Sequence, residues 1–401
     1  MGASFELEDV TGEFILKGRL LSLRLLNSKI FKLLWEYERS IEMKIEIEKL
    51  PESKLKPLYK DPAQLGFGKI FSDYMFTMKH RPGEGWVEPK IIPYSSFSID
   101  PAAVVLHYSQ EIFEGLKAYA APDGRVLLFR PDQNAKRMHR SAERLCMKPF
   151  PEEYFLEAVE TLVNLEKRWI PKAPETSLYI RPTLVGLGAQ LGVHPASEYL
   201  FYIILSPVAA YYKEGFKPVK LMVEDFYVRS VIGGVGDAKT GGNYAASLMA
   251  GAKAEEKGFS QVLWLDAKEK HYVEEVGSMN MFFVFGNKVI TPNLGGSILP
   301  GITRASVLEL AKSLGYQTEE RPISIDEVIK GLTDGTLTEA FGSGTAAVIS
   351  PVGSLYYKDH NYLINNNQVG MVTQELYTKL VDIQFGKAKD PFGWVKEIGR
   401  F

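Results

Sequence analysis

A single cysteine, Cys146, stands in 401 residues, so the chain forms no internal disulfide and offers no thiolate cluster to a metal. The six histidines, His80, His107, His139, His194, His271 and His360, are scattered without metal-ligand spacing, which argues against a zinc site. Charge of one sign is also missing. Lys+Arg 47 against Asp+Glu 49 leaves a net charge of −2, far from the basic field that a nucleic-acid or polyanion partner requires. No apolar run reaches the ~20 residues that span a bilayer; the longest, residues 199–212 (YLFYIILSPVAAYY), reads as a buried strand leaving into a loop. Repeats of solenoid period are absent as well. What is there is 45% hydrophobic, 12% aromatic and 24% charged, the make-up of an ordinary globular chain. Such a chain, at this length, buries roughly three quarters of its unfolded surface and tends to divide into two domains. Small molecules or other protein chains are the expected partners, in the cytoplasm.

Residues 1–42 differ in texture from the rest. Residues 16–35 (LKGRLLSLRLLNSKIFKLLW) are leucine-rich, yet Lys17, Arg19 and Arg24 interrupt a signal-peptide core and Glu6, Glu8, Asp9 and Glu13 do not suit an acid-poor transit peptide. Met43 opens MKIEIEKLP, a second possible start, so residues 1–42 read as a loosely attached extension. From there the pattern is mixed α/β. Residues 126–129, 177–180 and 200–205 are strand-like, and residues 153–169 have helical spacing behind Pro151. The segment 206–218 (SPVAAYYKEGFKP) resembles a connection between a smaller first domain, 43–205, and a larger second one, 219–401. In the second half, residues 220–224 and 261–265 read as strands and 244–257 as a helix stopped by Gly258. Residues 280–285 and 288–291 flank Gly286-Asn287 as a tight hairpin. Ser324 with Glu327 forms a capping box, and residues 374–384 close the chain as a helix.

The most unusual local composition is residues 233–244, GGVGDAKTGGNY, five glycines around Lys239. Glycine lets the main chain approach a bound group closely, and two chemistries use that. One is a phosphate cradle: the pattern G-x-x-x-x-G-K-[ST] nearly fits residues 233–240, and VLWLD at 262–266 has the look of its acidic partner strand. Ala238 stands where that motif needs glycine, and Gly241-Gly242 start a helix poorly, since interior glycine costs about 1 kcal/mol each. The other is covalent: a partly desolvated lysine amine forming a Schiff base with a carbonyl cofactor, pyridoxal phosphate being the common one. That cofactor also needs a carboxylate for its ring nitrogen, a hydroxyl near its phenolic oxygen, an anion site and a clamp for the substrate carboxylate.

Eight motifs in order, HYSQEIFEGLKAY, FRPDQNAKRM, LYIRP, GGVGDAKTGGNYAAS, VLWLDA, EEVGSMNMFFVF, LPGITR and FGSGTAAVISP, resemble the branched-chain amino acid aminotransferases, pyridoxal-phosphate enzymes of fold type IV. The resemblance runs from about Phe67 to Gly386 and leaves residues 1–42 outside. It implies an α+β fold of two lobes, an N-terminal α/β lobe and a C-terminal pseudo-barrel lobe. It also implies a homodimer whose sites borrow residues across the interface. By the same resemblance Lys239 is the cofactor lysine and the acid/base at the substrate Cα. Glu275 is the partner of the pyridine nitrogen, preferred over its neighbour Glu274 because the family acid directly precedes Val-Gly. Tyr244 faces the phenolic oxygen. Arg137 in NAKRM, Ser278, and the amides of Ile302 and Thr303 at a helix N-terminus hold the cofactor and its phosphate. Thr345 and Ala346, through backbone N–H groups, serve phosphate and substrate carboxylate. Tyr179 and Arg181, with Tyr108, Phe67 and Phe113, form the side-chain pocket, where Arg181 takes the distal carboxylate of glutamate or 2-oxoglutarate. Arg181 also stands out on its own, because a charge between Ile180 and Pro182 in an apolar run needs a partner.

The sequence departs from some relatives at one place: Ala347-Val348-Ile349-Ser350 replaces a Cys-x-x-Cys pair after GSGTA, so redox regulation through such a pair is not expected. The expected activity is transfer of the amino group of leucine, isoleucine or valine to 2-oxoglutarate. A D-amino acid aminotransferase or aminodeoxychorismate lyase shares the lysine and glutamate framework. A magnesium-dependent nucleotide hydrolase and a non-catalytic, cofactor-keeping binding protein are the readings from other classes.

Overall fold

The chain is described here from a computed structural model, which describes residues 11–16, 19–24, 43–62, 65–209 and 216–401. Most of the extension 1–42, and residues 210–215 of the connection, lie outside the described residues. Met1–Lys44 and Ile45–Phe401 form separate compact units. Within the first, β1 (Thr11–Leu16) and β2 (Arg19–Arg24) pair as an antiparallel hairpin, Thr11 opposite Arg24 and Leu16 opposite Arg19.

The second unit holds two sheets. The first is built from β3 (Glu46–Ile47), β4 (Tyr74–Arg81), β5 (Gly85–Pro93), β6 (Glu111–Phe113), β7 (Leu116–Ala120), β8 (Arg125–Phe129), β9 (Ser177–Gly186) and β10 (Tyr199–Val208). Between these strands lie α1 (Val104–Tyr108), α2 (Pro131–Arg144) and α3 (Glu152–Leu165). The second sheet follows with β11 (Val219–Glu224), α4 (Gly241–Glu256), β12 (Gln261–Leu265), β13 (Val273–Val276), β14 (Met279–Phe285) and β15 (Lys288–Thr291). It continues through α5 (Ile302–Ser313), β16 (Gln317–Glu320), α6 (Ile325–Asp334), β17 (Leu337–Gly344), β18 (Val348–Tyr357), β19 (His360–Leu363) and α7 (Met371–Gln384). In its neighbour order β13-β12-β11-β18-β17-β14, the last strand also pairs with β13, so six strands close on themselves. The closing strand of the chain, β20 (Val395–Arg400), does not join them. It pairs with β8 at the edge of the first sheet, so the assignment of all of residues 219–401 to the second lobe is corrected there.

Successive side chains of a strand point to opposite faces, and burial on both faces explains the apolar runs of β12 and β14. Leu221 and Val223, Leu263 and Leu265, and Met281 and Phe283 pack into one core. The alternate residues Met222, Val262 and Trp264 meet Ala250 and Ala254 of α4 on the other face, while Phe282 and Val284 join α5, α7 and Phe129. Each such side chain fully buried contributes roughly 1.5–3 kcal/mol.

The expected strands and helices are present with shifted ends. The hairpin at Gly286-Asn287 pairs Phe285 with Lys288, and Ser324 Oγ accepts from Glu327 N at 3.0 Å. One expectation fails: Gly241 and Gly242 are the first two residues of α4. The interior penalty does not apply in a first turn, whose N–H groups have no intrahelical partner anyway. A Cβ at Gly241 would meet the end of the Glu111 side chain, which would have to move aside.

Candidate active site

The glycine-rich loop between β11 and α4 delivers Lys239. Its main chain is clamped on both sides: Lys239 N donates to Ser141 Oγ at 3.0 Å, and Phe113 N donates to Lys239 O at 3.0 Å. Asn243 Nδ2 reaches back from α4 to Val235 O at 2.8 Å and Ala238 O at 2.9 Å. The loop is therefore fixed, and the amine is the part left to react. Lys239 Nζ donates to the Tyr244 hydroxyl at 2.8 Å and lies 4.9 Å from the Phe113 ring centre.

Around that amine is a cavity of about 370 Å³. Of the residues singled out in the sequence, Phe67, Phe113, Arg137, Tyr179, Arg181, Lys239, Tyr244, Glu275, Ser278, Ile302, Thr303, Thr345 and Ala346 all line it. Tyr108 does not. It sits at the end of α1, exposed, with its hydroxyl on Leu191 O.

Glu275 and Glu274 are separated by strand alternation. Glu275 lines the cavity, with Oε1 accepting from Asn280 Nδ2 at 3.1 Å; Glu274 instead accepts from Ser297 Oγ. Burial pushes the Glu275 carboxyl up to about 7, against the pull of Arg229, whose Nη1 lies 2.7 Å from Oε2. Despite that proximity, Oε2 has no hydrogen-bond partner. Arg137 on α2 is buried against Glu114, Nε to Oε1 and Nη2 to Oε2 at 2.7 Å each. Burial alone would raise the Glu114 carboxyl, but the guanidinium outweighs it and holds the group below its ordinary range. Nη1 of Arg137 remains on Pro300 O at 3.2 Å, beside the start of α5. No side chain caps α5, so the first-turn amides of Ile302 and Thr303 are orphan donors with the positive end of a helix behind them.

On the side-chain wall, Phe67 and Tyr179 meet edge-on at 4.9 Å. Arg181 lies 4.7 Å from the Phe113 ring centre and gives Nη2 to Tyr179 OH at 2.9 Å. Its Nε has no partner. Opposite, the β17–β18 tip presents Ser343, Gly344, Thr345, Ala346 and Ala347; Ser343 Oγ is buried and unpartnered. Lys117 Nζ ties this tip by donating to Ala346 O at 2.7 Å. Three residues lining one cavity thus carry a buried polar atom without a hydrogen bond: the ion-paired carboxylate oxygen of Glu275, a guanidinium nitrogen of Arg181 and the hydroxyl of Ser343. Among the described residues no cluster suits a metal ion, and no helix is long and apolar enough to cross a membrane.

Comparison with known proteins decides the family. The model of amino-transferase class IV matches residues 111–355. The chain belongs to the class IV aminotransferases. Within this family it is 54% identical over 355 residues to branched-chain-amino-acid transaminase 1 of Bacillus subtilis, covering 88% of this chain and 99% of the relative. A probable branched-chain-amino-acid aminotransferase of Staphylococcus epidermidis is 52% identical over 359 residues, 89% of this chain and 99% of that one. Among solved structures, the Escherichia coli branched-chain amino acid aminotransferase superposes with a TM-score of 0.68 at 26% identity, covering 82% of this chain and 99% of the other. The branched-chain aminotransferase of the archaeon Thermoproteus uzoniensis, solved with norvaline, gives 0.68 at 25% identity, over 81% and 100%. A third such enzyme, solved with pyridoxamine 5'-phosphate, gives 0.68 at 27% identity, over 81% and 98%. The fold is therefore that of the fold-type IV aminotransferases, mixed α and β with a barrel lobe, and this aminotransferase is a transferase of the branched-chain group.

Among the residues of the site not singled out in the sequence are Glu114, Lys117, Arg229 and Asn280. The test applied to Arg181, a charge inside an apolar run, also finds Glu114 and Lys117 in IFEGLKAYA. Arg229 and Asn280 carry no such signal.

Proposed function

We propose that this aminotransferase moves the amino group of L-leucine, L-isoleucine or L-valine to 2-oxoglutarate, reversibly, with pyridoxal 5'-phosphate held at Lys239. The observation that carries the reading is the placement of an amine, its hydroxyl partner, an unpartnered buried carboxylate oxygen and a helix N-terminus around one cavity. The donor set fits the cofactor: Glu275 Oε2 is an acceptor for a ring N–H, Tyr244 OH stands beside Nζ, and Arg137 with the amides of Ile302 and Thr303 suits a phosphate. The cofactor, when bound, supplies an electron sink for the bonds at the substrate Cα.

The chain's own residues do the rest. Lys239 Nζ would hold the cofactor and, once free, would move the proton between the substrate Cα and the adjoining carbon of the cofactor. The Tyr244 hydroxyl holds Nζ in place for that transfer. Amides at Thr345 and Ala346 hold the substrate carboxylate. Phe67, Phe113 and Tyr179 enclose a branched aliphatic chain and exclude water, while the unpartnered Nε of Arg181 provides for the distal carboxylate of 2-oxoglutarate. Chain names among the relatives support the branched substrates. A homodimer is part of the same reading. Tyr108 stands with the exposed apolar residues Leu106, Leu191 and Val193, a surface suited to a second copy; mass measurement in solution checks this.

Lys239→Ala is expected to keep the fold, lose the yellow colour of the bound cofactor and lose turnover. A purified Lys239→Ala protein that stayed yellow and turned over L-leucine would refute the assignment. Preference for D-alanine over L-leucine would instead favour the D-amino acid aminotransferase reading.

A further inference from the structure

Two glutamates, Glu274 and Glu275, are adjacent on β13 and both buried, with 8% and 2% of their surfaces exposed, and Glu275 lines the cavity. An unpaired carboxylate in such a place neutralises itself by taking up a proton. A protonated Glu275 would donate to a pyridine nitrogen where the chemistry needs it to accept. The charged groups acting on Glu275 are Arg229, Glu274 and Lys239, and Arg229 is the strongest of the three. Glu274 is moderated by its own partner, the Ser297 hydroxyl.

The contact between Arg229 and Glu275 has an unusual form. Nη1 stands 2.7 Å from Oε2, yet the pair is not aligned as a hydrogen bond, and Oε2 accepts from nothing. Nη1 donates instead to Ser297 O at 3.3 Å and Gly236 O at 3.5 Å. Gly236 must lack a side chain, because a Cβ would collide with Ser230 Oγ and Ser297 O. The glycine-rich loop therefore delivers Lys239 and also supplies one of the carbonyls that aim Arg229.

We propose that Arg229 is a positioning residue for the cofactor's ring nitrogen: its guanidinium favours the charged form of the Glu275 carboxyl against burial, through an ion pair that is not aligned as a hydrogen bond and so leaves Oε2 able to accept from that nitrogen. The inference rests on the proposed cofactor and goes beyond it, since Arg229 does not line the cavity. Arginine suits the task better than lysine, because a guanidinium does not surrender its proton to the neighbouring acid.

The test is titration of cofactor-free protein with pyridoxal 5'-phosphate, followed by absorbance, in Arg229→Met, Arg229→Lys, Glu275→Gln and the Arg229→Met/Glu275→Gln double variant. Thermal unfolding of each cofactor-free protein reports folding separately. Arg229→Met is expected to weaken cofactor binding about tenfold or more, one unit of proton affinity at Glu275 being tenfold. Arg229→Lys recovers most of that loss. In the Glu275→Gln background, where no charge remains to be kept, Arg229→Met costs nothing further. The double variant buries neither charge and is expected to fold, so if Arg229→Met alone does not fold, Glu275→Gln against the double variant carries the test. A folded Arg229→Met with unchanged cofactor affinity overturns the inference, as does a further tenfold loss in the double variant. A wild-type protein that does not take up the cofactor at all overturns the proposed cofactor, and this inference with it.

Discussion

Lys117→Met separates what the carboxylate loop needs from what the fold needs. Lys117 on β7 is buried, and burial brings its amine down to about 8 from an ordinary 10.5. At one pH unit per 1.36 kcal/mol, keeping it charged at neutral pH costs about 3 kcal/mol. Its bond to Ala346 O at 2.7 Å returns about 1.5–3 kcal/mol, the range for a charged donor. Methionine of similar length removes both effects, so the stability of the variant should lie within about 2 kcal/mol of wild type at pH 7. The loop, however, loses its tie. The bond at Ala346 O holds Ala346 in the direction from which its own amide serves the carboxylate. Without the amine that direction is no longer fixed. KM should then rise about tenfold for both L-leucine and 2-oxoglutarate, the equivalent of roughly 1.4 kcal/mol of lost preorganisation. The pH dependence has a definite sign. A depressed lysine adds stability above its unfolded value and loses it as pH falls through the folded one. Wild type should therefore gain stability between pH 8 and about 10 relative to Lys117→Met. Chemical denaturation at several pH values and steady-state kinetics with both substrates are the assays. Parallel stability profiles together with unchanged KM values would refute the reasoning.

Other perturbations test other parts. Glu166 is buried, its carboxyl raised to about 7 by burial with Asp73 adding to the rise; the stability this group contributes is present below pH 4.5 and lost as pH climbs through 7. Glu166→Gln should therefore stabilise the protein at pH 8 by up to about 3 kcal/mol and flatten its profile between pH 5 and 8, measured by denaturation. Gly236→Ala forces a methyl against the Ser297 carbonyl and Ser230 Oγ and should cost about 1–3 kcal/mol; it should weaken cofactor retention too, whereas Gly242→Ala, with open space around it, should be tolerated. Arg181→Met should raise KM for 2-oxoglutarate at least tenfold and KM for L-leucine far less; equal losses would mean that Arg181 only shapes the wall.

The sequence reveals most where chemistry and chain order coincide. Lys239 and Tyr244 are five residues apart on a loop and the helix turn after it, and β12 reads directly from the continuous apolar run Val262, Leu263, Trp264 and Leu265. It reveals less where a partner comes from a distant segment. Glu114 and Arg137 meet across 23 residues and Arg229 meets Glu275 across two separate elements; nothing local in FYVRS marks its arginine as an acid's counterion. The start of α4 is illegible to a penalty meant for helix interiors, because Gly241 and Gly242 stand in a first turn, whose N–H groups have no intrahelical partner. Tyr108 joins the pocket by motif alone, and within one chain it stands outside the cavity.

The antiparallel pairing of β20 with β8 bears on how this protein is made. A ribosome finishes β8 at residue 129 long before it reaches residue 395, so the earliest-built sheet must wait, one rim bare, for the last strand to be synthesised. Cutting the polypeptide between the two sheets would not yield a self-sufficient amino-terminal fragment, since the piece that seals its margin travels with the other half.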